Sequence, residues 1–284
     1  MLLVLYAGTV WLSPLYFAGF LSLILLPALL EWGTLMGLTR RVQQSAWVAC
    51  FAIILLFMLL VLTRSMDSFG VQAAMLFDTR IMTILMALAT LFWLWVFLVI
   101  SRYPRGQQVW EARWKIGLMG IACLLPTWLG LFYLKLLAPS GILVFVLVAL
   151  VSVVDIGAYF TGRAWGRKKL APLLSPGKSW AGFWGGLASC LTLSIGILLW
   201  LHVADQALSP ELWILLMACA MLLAVLSVVG DLFESMLKRH RGLKDSGRTL
   251  PGHGGVLDRI DSLVAATPVY VLALIMLSRV MELI

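Results

Sequence analysis

The 284 residues are 62% hydrophobic and only 12% charged, against roughly half apolar and about a quarter charged in soluble domains, so most of the chain must be solvated by lipid. At about 20 apolar residues per crossing, this length holds at most about nine spans with short connections and leaves no room for a separate soluble domain. The formal net charge of +8 lies between apolar segments, which excludes nucleic acid and points to membrane lipids and phosphate-bearing substrates as partners.

Apolar runs fall at residues 1–12, 15–38, 45–63, 81–101, 116–137, 139–162, 182–204, 211–236 and 262–281. They predict an all-α fold, a polytopic transmembrane helical bundle of about nine helices. We read one integral membrane domain over residues 1–284, with N-terminal helices over 1–115 and a catalytic helical region over 116–284. The first run is short for a full crossing, and no basic segment or small-residue cleavage site marks it as a removable leader. Cys50, Cys123, Cys190 and Cys219 lie inside apolar stretches without C-x-x-C spacing, so they read as small core hydrophobes. Pro126 and Pro268 interrupt apolar runs and read as features of helix shape.

Lys and Arg are retained on the cytoplasmic side of a bilayer. Alternate connections carry Arg40 and Arg41; Arg102, Arg105, Arg113 and Lys115; Arg163, Arg167, Lys168, Lys169 and Lys178; and a last group running from Lys238 to Arg259. Nine crossings then place the N-terminus inside and the C-terminus outside. The segments 163–181 and 237–261 share the cytoplasmic face.

Asp155 lies deep in the sixth run, one turn before Tyr159, as an inward-facing polar anchor. Ser175, Pro176, Gly177, Lys178 and Ser179 precede a helix, and their hydroxyls, small residues and lysine suit a phosphate at that helix N-terminus. A simple turn uses the same residues. At the end of the eighth run Asp231, Glu234, Ser235 and Lys238 recur at helical spacings, one polar stripe on an apolar helix. A carboxylate there is costly unless it meets protein, water, a cation or a metal, which singles out Asp231; Glu234 and Lys238 also fit an ion pair that ends the helix.

Lys244 and Asp245 follow, then Gly252, Gly254 and Gly255 around His253. That backbone can bend tightly and approach a phosphate, with His253 placed to donate to a phosphate oxygen. Asp258 and Asp261 come next at i and i+3. Hard oxygens of this kind suit Mg²⁺, which takes one or two carboxylates and completes its shell with water and phosphate. Acidic and basic groups interleave throughout, whereas a lipid-anchoring patch needs only the cations.

From Ser235 to Asp261 the chain resembles the signature of the phosphatidate cytidylyltransferases, also called CDP-diglyceride synthases. Ser235, Lys238-Arg239, Lys244-Asp245, Pro251-Gly252-His253-Gly254-Gly255, Asp258-Arg259 and Asp261 all match. The likeness continues through Glu31-Trp32-Gly33, Asp155 with Gly157-Ala158-Tyr159, and Ser175-Pro176 with Lys178-Ser179-Trp180. The resemblance implies CTP and phosphatidic acid as substrates, a homodimer as assembly, and a bacterial inner membrane with the active site facing the cytoplasm. It implies Asp231 and Asp258 as holders of a catalytic Mg²⁺, with a second, monovalent cation such as K⁺ beside it. Lys238, Arg239, Lys244 and Arg259 would neutralise phosphates. Ser175, Lys178, Ser179, Gly254 and Gly255 are the remaining candidate phosphate contacts, and Asp155, Glu234, Asp245 and Asp261 the supporting polar groups. Two positions depart from many relatives: Ser179 stands for Thr, and Ala181 for Glu or Gln. The alternatives are a paralogous CTP-dependent enzyme acting on another lipid phosphate or polyprenol, and a membrane transporter, whose polar groups would spread along several helices to both faces.

Overall fold

The computed structural model describes residues 2–69, 79–105, 112–203, 208–247, 249 and 254–282. Among these are nine helices: α1 (Leu2–Trp11), α2 (Pro14–Leu35), α3 (Arg41–Phe69), α4 (Thr79–Ser101), α5 (Arg113–Leu137), α6 (Ile142–Trp165), α7 (Trp180–Val203), α8 (Pro210–His240) and α9 (Leu257–Glu282). Apolar runs become helices because a helix satisfies every backbone group within itself, which lipid cannot do for it. Helices α2 to α9 are each long and apolar enough to cross a membrane, and the chain is an integral membrane protein. The ten residues of α1 reach about 15 Å, half the hydrocarbon thickness, so α1 by itself does not supply the ninth crossing expected from the run count.

Between α6 and α7 the connection that precedes the helix forms an antiparallel hairpin. Strand β1 (Lys169–Ala171) pairs with β2 (Ser175–Ser179), Lys169 opposite Ser179 and Ala171 opposite Ser175.

Helices associate in lipid through close packing and shared hydrogen bonds. Helices α6 and α7 meet through small residues: a Cβ on Gly182 or Gly186 would stand 2.8 Å from the carbonyl oxygen of Ala158 or Val154. Helices α8 and α9 come equally close at Gly230, where a Cβ would strike the Asp261 carbonyl and Ala265. Phe233 of α8 packs edge-on against Trp93 of α4, 5.7 Å between ring centres, and lies 6.4 Å from Trp32 of α2. These rings fix the rotation of α8, and with it the direction of the carboxylates on either side of Phe233. Pro268 leaves the Val264 carbonyl without its usual amide partner. The Thr127 hydroxyl of α5, which donates to the Cys123 carbonyl of its own helix at 2.8 Å, also lies 3.3 Å from that oxygen, a polar neighbour from another helix.

The two ends of the bundle differ. At one, Arg241 donates from Nε and Nη2 to the carbonyls of Leu35 and Met36, both at 2.7 Å. These are carbonyls at the end of α2, which have no intrahelical donor. Arg239 Nε reaches the Leu174 carbonyl in the hairpin at 3.4 Å. The ends of α2 and α8 and the hairpin are thereby gathered together. At the opposite end Lys135 is 1% exposed, and its ammonium donates to the carbonyls of Thr9 and Pro139. That lysine ties the end of α1 to the end of α5.

Candidate active site

The hairpin presents its charge by way of a helix cap. Ser179 is buried, and its hydroxyl oxygen accepts the Gly182 N–H at 3.1 Å across the first turn of α7, as an N-cap does. The Trp180 N–H donates to the Lys168 carbonyl at 3.0 Å. Held on both sides, Lys178 places its ammonium 2.6 Å from Asp231 Oδ2 on α8. The Ser235 hydroxyl lies 3.4 Å from the other oxygen of the same carboxylate. A cavity of about 510 Å³ opens at this pair, lined among others by Asp155, Tyr159, Arg163, Lys178 and Asp231.

Two turns further along α8, Lys238 stands 2.5 Å from Asp258 Oδ1 and 3.3 Å from Glu234 Oε1. Asp258 Oδ2 accepts the N–H groups of Gly255 (2.8 Å) and Ser246 (3.1 Å). A second carboxylate, Glu31 of α2, is 3% exposed and accepts the N–H groups of Val256 (2.9 Å) and Leu257 (2.8 Å) and the hydroxyl of Thr249. The Ser246 hydroxyl bridges the two carboxylates, 2.9 Å from Asp258 Oδ2 and 3.2 Å from Glu31 Oε2. Amides at the start of α9 have no intrahelical acceptor, and that end of the helix dipole favours negative charge. Glu31 meets both needs from a helix more than 200 residues away in sequence. A Cβ on Gly247 or Gly255 would stand 2.7 Å from a Glu31 oxygen, so those glycines make room for Glu31. Gly254 takes a φ of 81°, which glycine alone adopts without strain.

More carboxylates gather here than the lysines neutralise. Asp261 Oδ1 accepts the Ser262 N–H at 2.7 Å, and Asp261 lies within the fields of Asp231, Lys178 and Asp155. Glu234 lies within those of Asp261, Lys238 and Asp258. Glu234 is 4% exposed; its Oε1 faces Lys238 without hydrogen-bond alignment, and its Oε2 has no donor.

The model of the cytidylyltransferase family matches residues 1–277. The chain belongs to the cytidylyltransferase family. A phosphatidate cytidylyltransferase of Pseudomonas aeruginosa is 36% identical over 263 residues, 93% of this chain and 89% of that protein. Its counterpart in Haemophilus influenzae is 34% identical over 267 residues, 91% of this chain and 89% of that protein. A phosphatidate cytidylyltransferase of Brucella melitensis is 53% identical over 120 residues, 42% of each chain. The protein is accordingly an enzyme of nucleotidyl transfer, a reaction that generally uses a divalent metal.

In this cytidylyltransferase Asp155, Lys178, Ser179 and Asp231 border one cavity, while Lys238, Glu234 and Asp258 form a second cluster beside it. Asp231 and Asp258 belong to separate ion pairs: Lys178 meets Asp231, and the ammonium of Lys238 lies about one turn of α8 further on, 3.3 Å from Glu234 and 2.5 Å from Asp258. Arg239 is exposed and donates to the carbonyls of Leu174 and Leu243, at 3.4 and 3.3 Å, joining hairpin to helix end. Ser175 is a strand residue paired with Ala171. Lys244, Asp245 and Arg259 are exposed. His253 lies outside the described residues, as do Arg248, Pro251 and Gly252. Spacing alone passes over Glu31, which enters the sequence reading only through the resemblance. The signal that singles out Asp155, a carboxylate inside an apolar run, applies to it equally.

Proposed function

We propose that this enzyme joins CTP and phosphatidic acid to give CDP-diacylglycerol and pyrophosphate, in a bacterial inner membrane with the charged end of the bundle facing the cytoplasm. One observation carries the reading furthest: the Lys178–Asp231 pair lines a polar cavity in the wall of a membrane-spanning bundle. A water-soluble nucleotide and a lipid phosphate can meet only at such a boundary. The names and coverage of the relatives support the same chemistry.

A phosphate oxygen of the lipid attacks the α-phosphorus of CTP. The bond from that phosphorus to the oxygen bridging to the β-phosphate breaks, and pyrophosphate leaves with the electron pair. The nucleophile is already an anion, so no strong base is required. What resists reaction is repulsion between the phosphates and the charge gathering on pyrophosphate, and fixed cations answer both. Lys178 and Arg163 at the cavity and Lys238 beside it supply that charge. Both lysines now rest on aspartates, so a substrate phosphate competes for an ammonium group that is already positioned.

The donor set fits a hard divalent cation. Carboxylates outnumber the lysines that face them, and Glu234 Oε2 is buried without a donor. Asp231 and Asp258 would hold Mg²⁺, and a monovalent cation such as K⁺ would suit the remaining carboxylates. Among the described residues no three His, Cys, Asp or Glu converge to hold an ion alone, which leaves its other positions to water and substrate phosphate. Such an ion would supply positive charge against the phosphates.

The purified protein is expected to release pyrophosphate from CTP only when phosphatidic acid and Mg²⁺ are both supplied. Asp231→Asn should abolish release while leaving insertion and folding intact. Undiminished release by that variant refutes the role given to Asp231. Turnover of another lipid phosphate or a polyprenol phosphate, with phosphatidic acid inert, would reassign the substrate.

A further inference from the structure

A second cavity, of about 590 Å³, adjoins the polar one and shares Leu170, Phe183 and Val228 with it as a common wall. It is the more apolar of the two. No charged side chain lines it; Phe97 and Ile100 of α4, Leu174 of the hairpin, and Val225, Val229 and Leu232 of α8 make up much of its surface. Val225 and Leu232 are two turns apart, so the cavity runs about 10 Å along α8, away from the charged end and into the depth of the membrane. Its roof is the hairpin turn Pro172-Leu173-Leu174. Leu173 is 64% exposed at the tip of that turn, between Lys168 and Lys169 on one arm and Lys178 on the other. An apolar tip with cationic shoulders suits the headgroup boundary of an anionic bilayer.

A triphosphate finds no cation in such a slot, whose polar side chains are Ser101, Tyr103 and Trp180. Hydrocarbon fits it, and the wall shared with the Lys178–Asp231 cavity means that one molecule can lie in both spaces, phosphate on one side and chain on the other. We propose that this slot receives an acyl chain of the phosphatidic acid substrate, with Phe183 dividing headgroup from chain and Val225 closing the deep end and so limiting chain length. This assignment rests on the function proposed above and adds to it which residues select the lipid.

The test is a crossed comparison of chain length and side-chain bulk in mixed micelles. For Val225→Phe, overfilling the deep end should lower kcat/KM about tenfold for dipalmitoyl phosphatidic acid and leave dihexanoyl phosphatidic acid and the KM for CTP within about twofold. Equal loss on both lipids, or no loss on either, overturns the assignment. Should that variant fail to fold, Val225→Ala, which lengthens the slot, is expected to move the preferred chain to a longer one. An unchanged chain-length profile in Val225→Ala overturns the assignment as well. Failure of the wild-type protein to turn over phosphatidic acid of any length would instead overturn the function on which it rests.

Discussion

Two connections meet at the charged end of the bundle, and they are held in opposite ways. The segment from Lys169 to Ser179 pairs with itself as a hairpin and caps the next helix with its own Ser179. Lys178 is therefore left to face Asp231 and the cavity. In the segment from Gly242 to Val256 the described residues form no strand beyond a single bridge position at Gly254, and amides and hydroxyls turn to two carboxylates, Glu31 and Asp258. Where the backbone satisfies itself, side chains remain for substrate; where it cannot, carboxylates become part of the scaffold. Asp258 then has two tasks, since it anchors this segment and also faces Lys238.

That contrast is sharpest at Asp258. Asn in its place keeps the size but loses the charge facing Lys238 and one acceptor oxygen. Cytidylyl transfer is expected to fall by about a thousandfold, the scale of losing a fixed charge contact at a reacting phosphate. Hydrogen exchange at Ser246 and Gly255 should quicken in the same variant. Loss of turnover with unchanged exchange would separate the two tasks and break the comparison.

Glu31→Ala comes next. It leaves buried donors of Val256 and Leu257 without an acceptor, at about 1 to 3 kcal/mol each, so thermal stability should drop and activity with it. Glu31→Gln keeps one good acceptor and should recover part of both. An alanine variant as stable as the parent would mean that the segment finds another anchor. Lys178→Met is expected to do less: the hairpin holds, Asp231 loses its partner, and the KM for CTP rises about tenfold as one charge-assisted contact of 1.5 to 3 kcal/mol is lost. A fall in stability without a change in KM would make the Lys178–Asp231 pair a structural link.

Hydropathy made the helices legible, because the cost of an unpaired backbone in lipid leaves an apolar run few choices. Their charged ends were less so. Helix α9 begins at Leu257, ahead of its apolar run, since Asp258, Arg259 and Asp261 interrupt the run without interrupting the helix. The hairpin had no strand signature, since β2 contains Pro176 and Gly177; it is held by its pairing with β1 and by the Ser179 cap on α7. Asp231, Asp258 and Lys238 stood out as charges beside grease, yet which lysine meets which aspartate depends on how α8 packs against α9 and the hairpin. No spacing encodes that. Glycines near His253 suggested approach to a phosphate; at Gly255 the space is filled by Glu31 and Ser246, a packing reason indistinguishable from the other in sequence.

The smallest expected effect tests the hairpin's self-sufficiency. Ser179→Ala removes the cap of α7, which typically costs about 1 kcal/mol, while Lys178 stays tethered by strand pairing and by the Trp180 N–H on the Lys168 carbonyl. Thermal stability should fall slightly, Ser179→Thr should restore it, and turnover should stay within about twofold of the parent, a change of under 1 kcal/mol. The hydroxyl oxygen already accepts from Gly182 and is buried, so only its proton remains for a phosphate. If Ser179→Ala keeps its stability but loses most of its turnover, that proton is a substrate contact, and the hairpin gives up more than its lysine to the reaction.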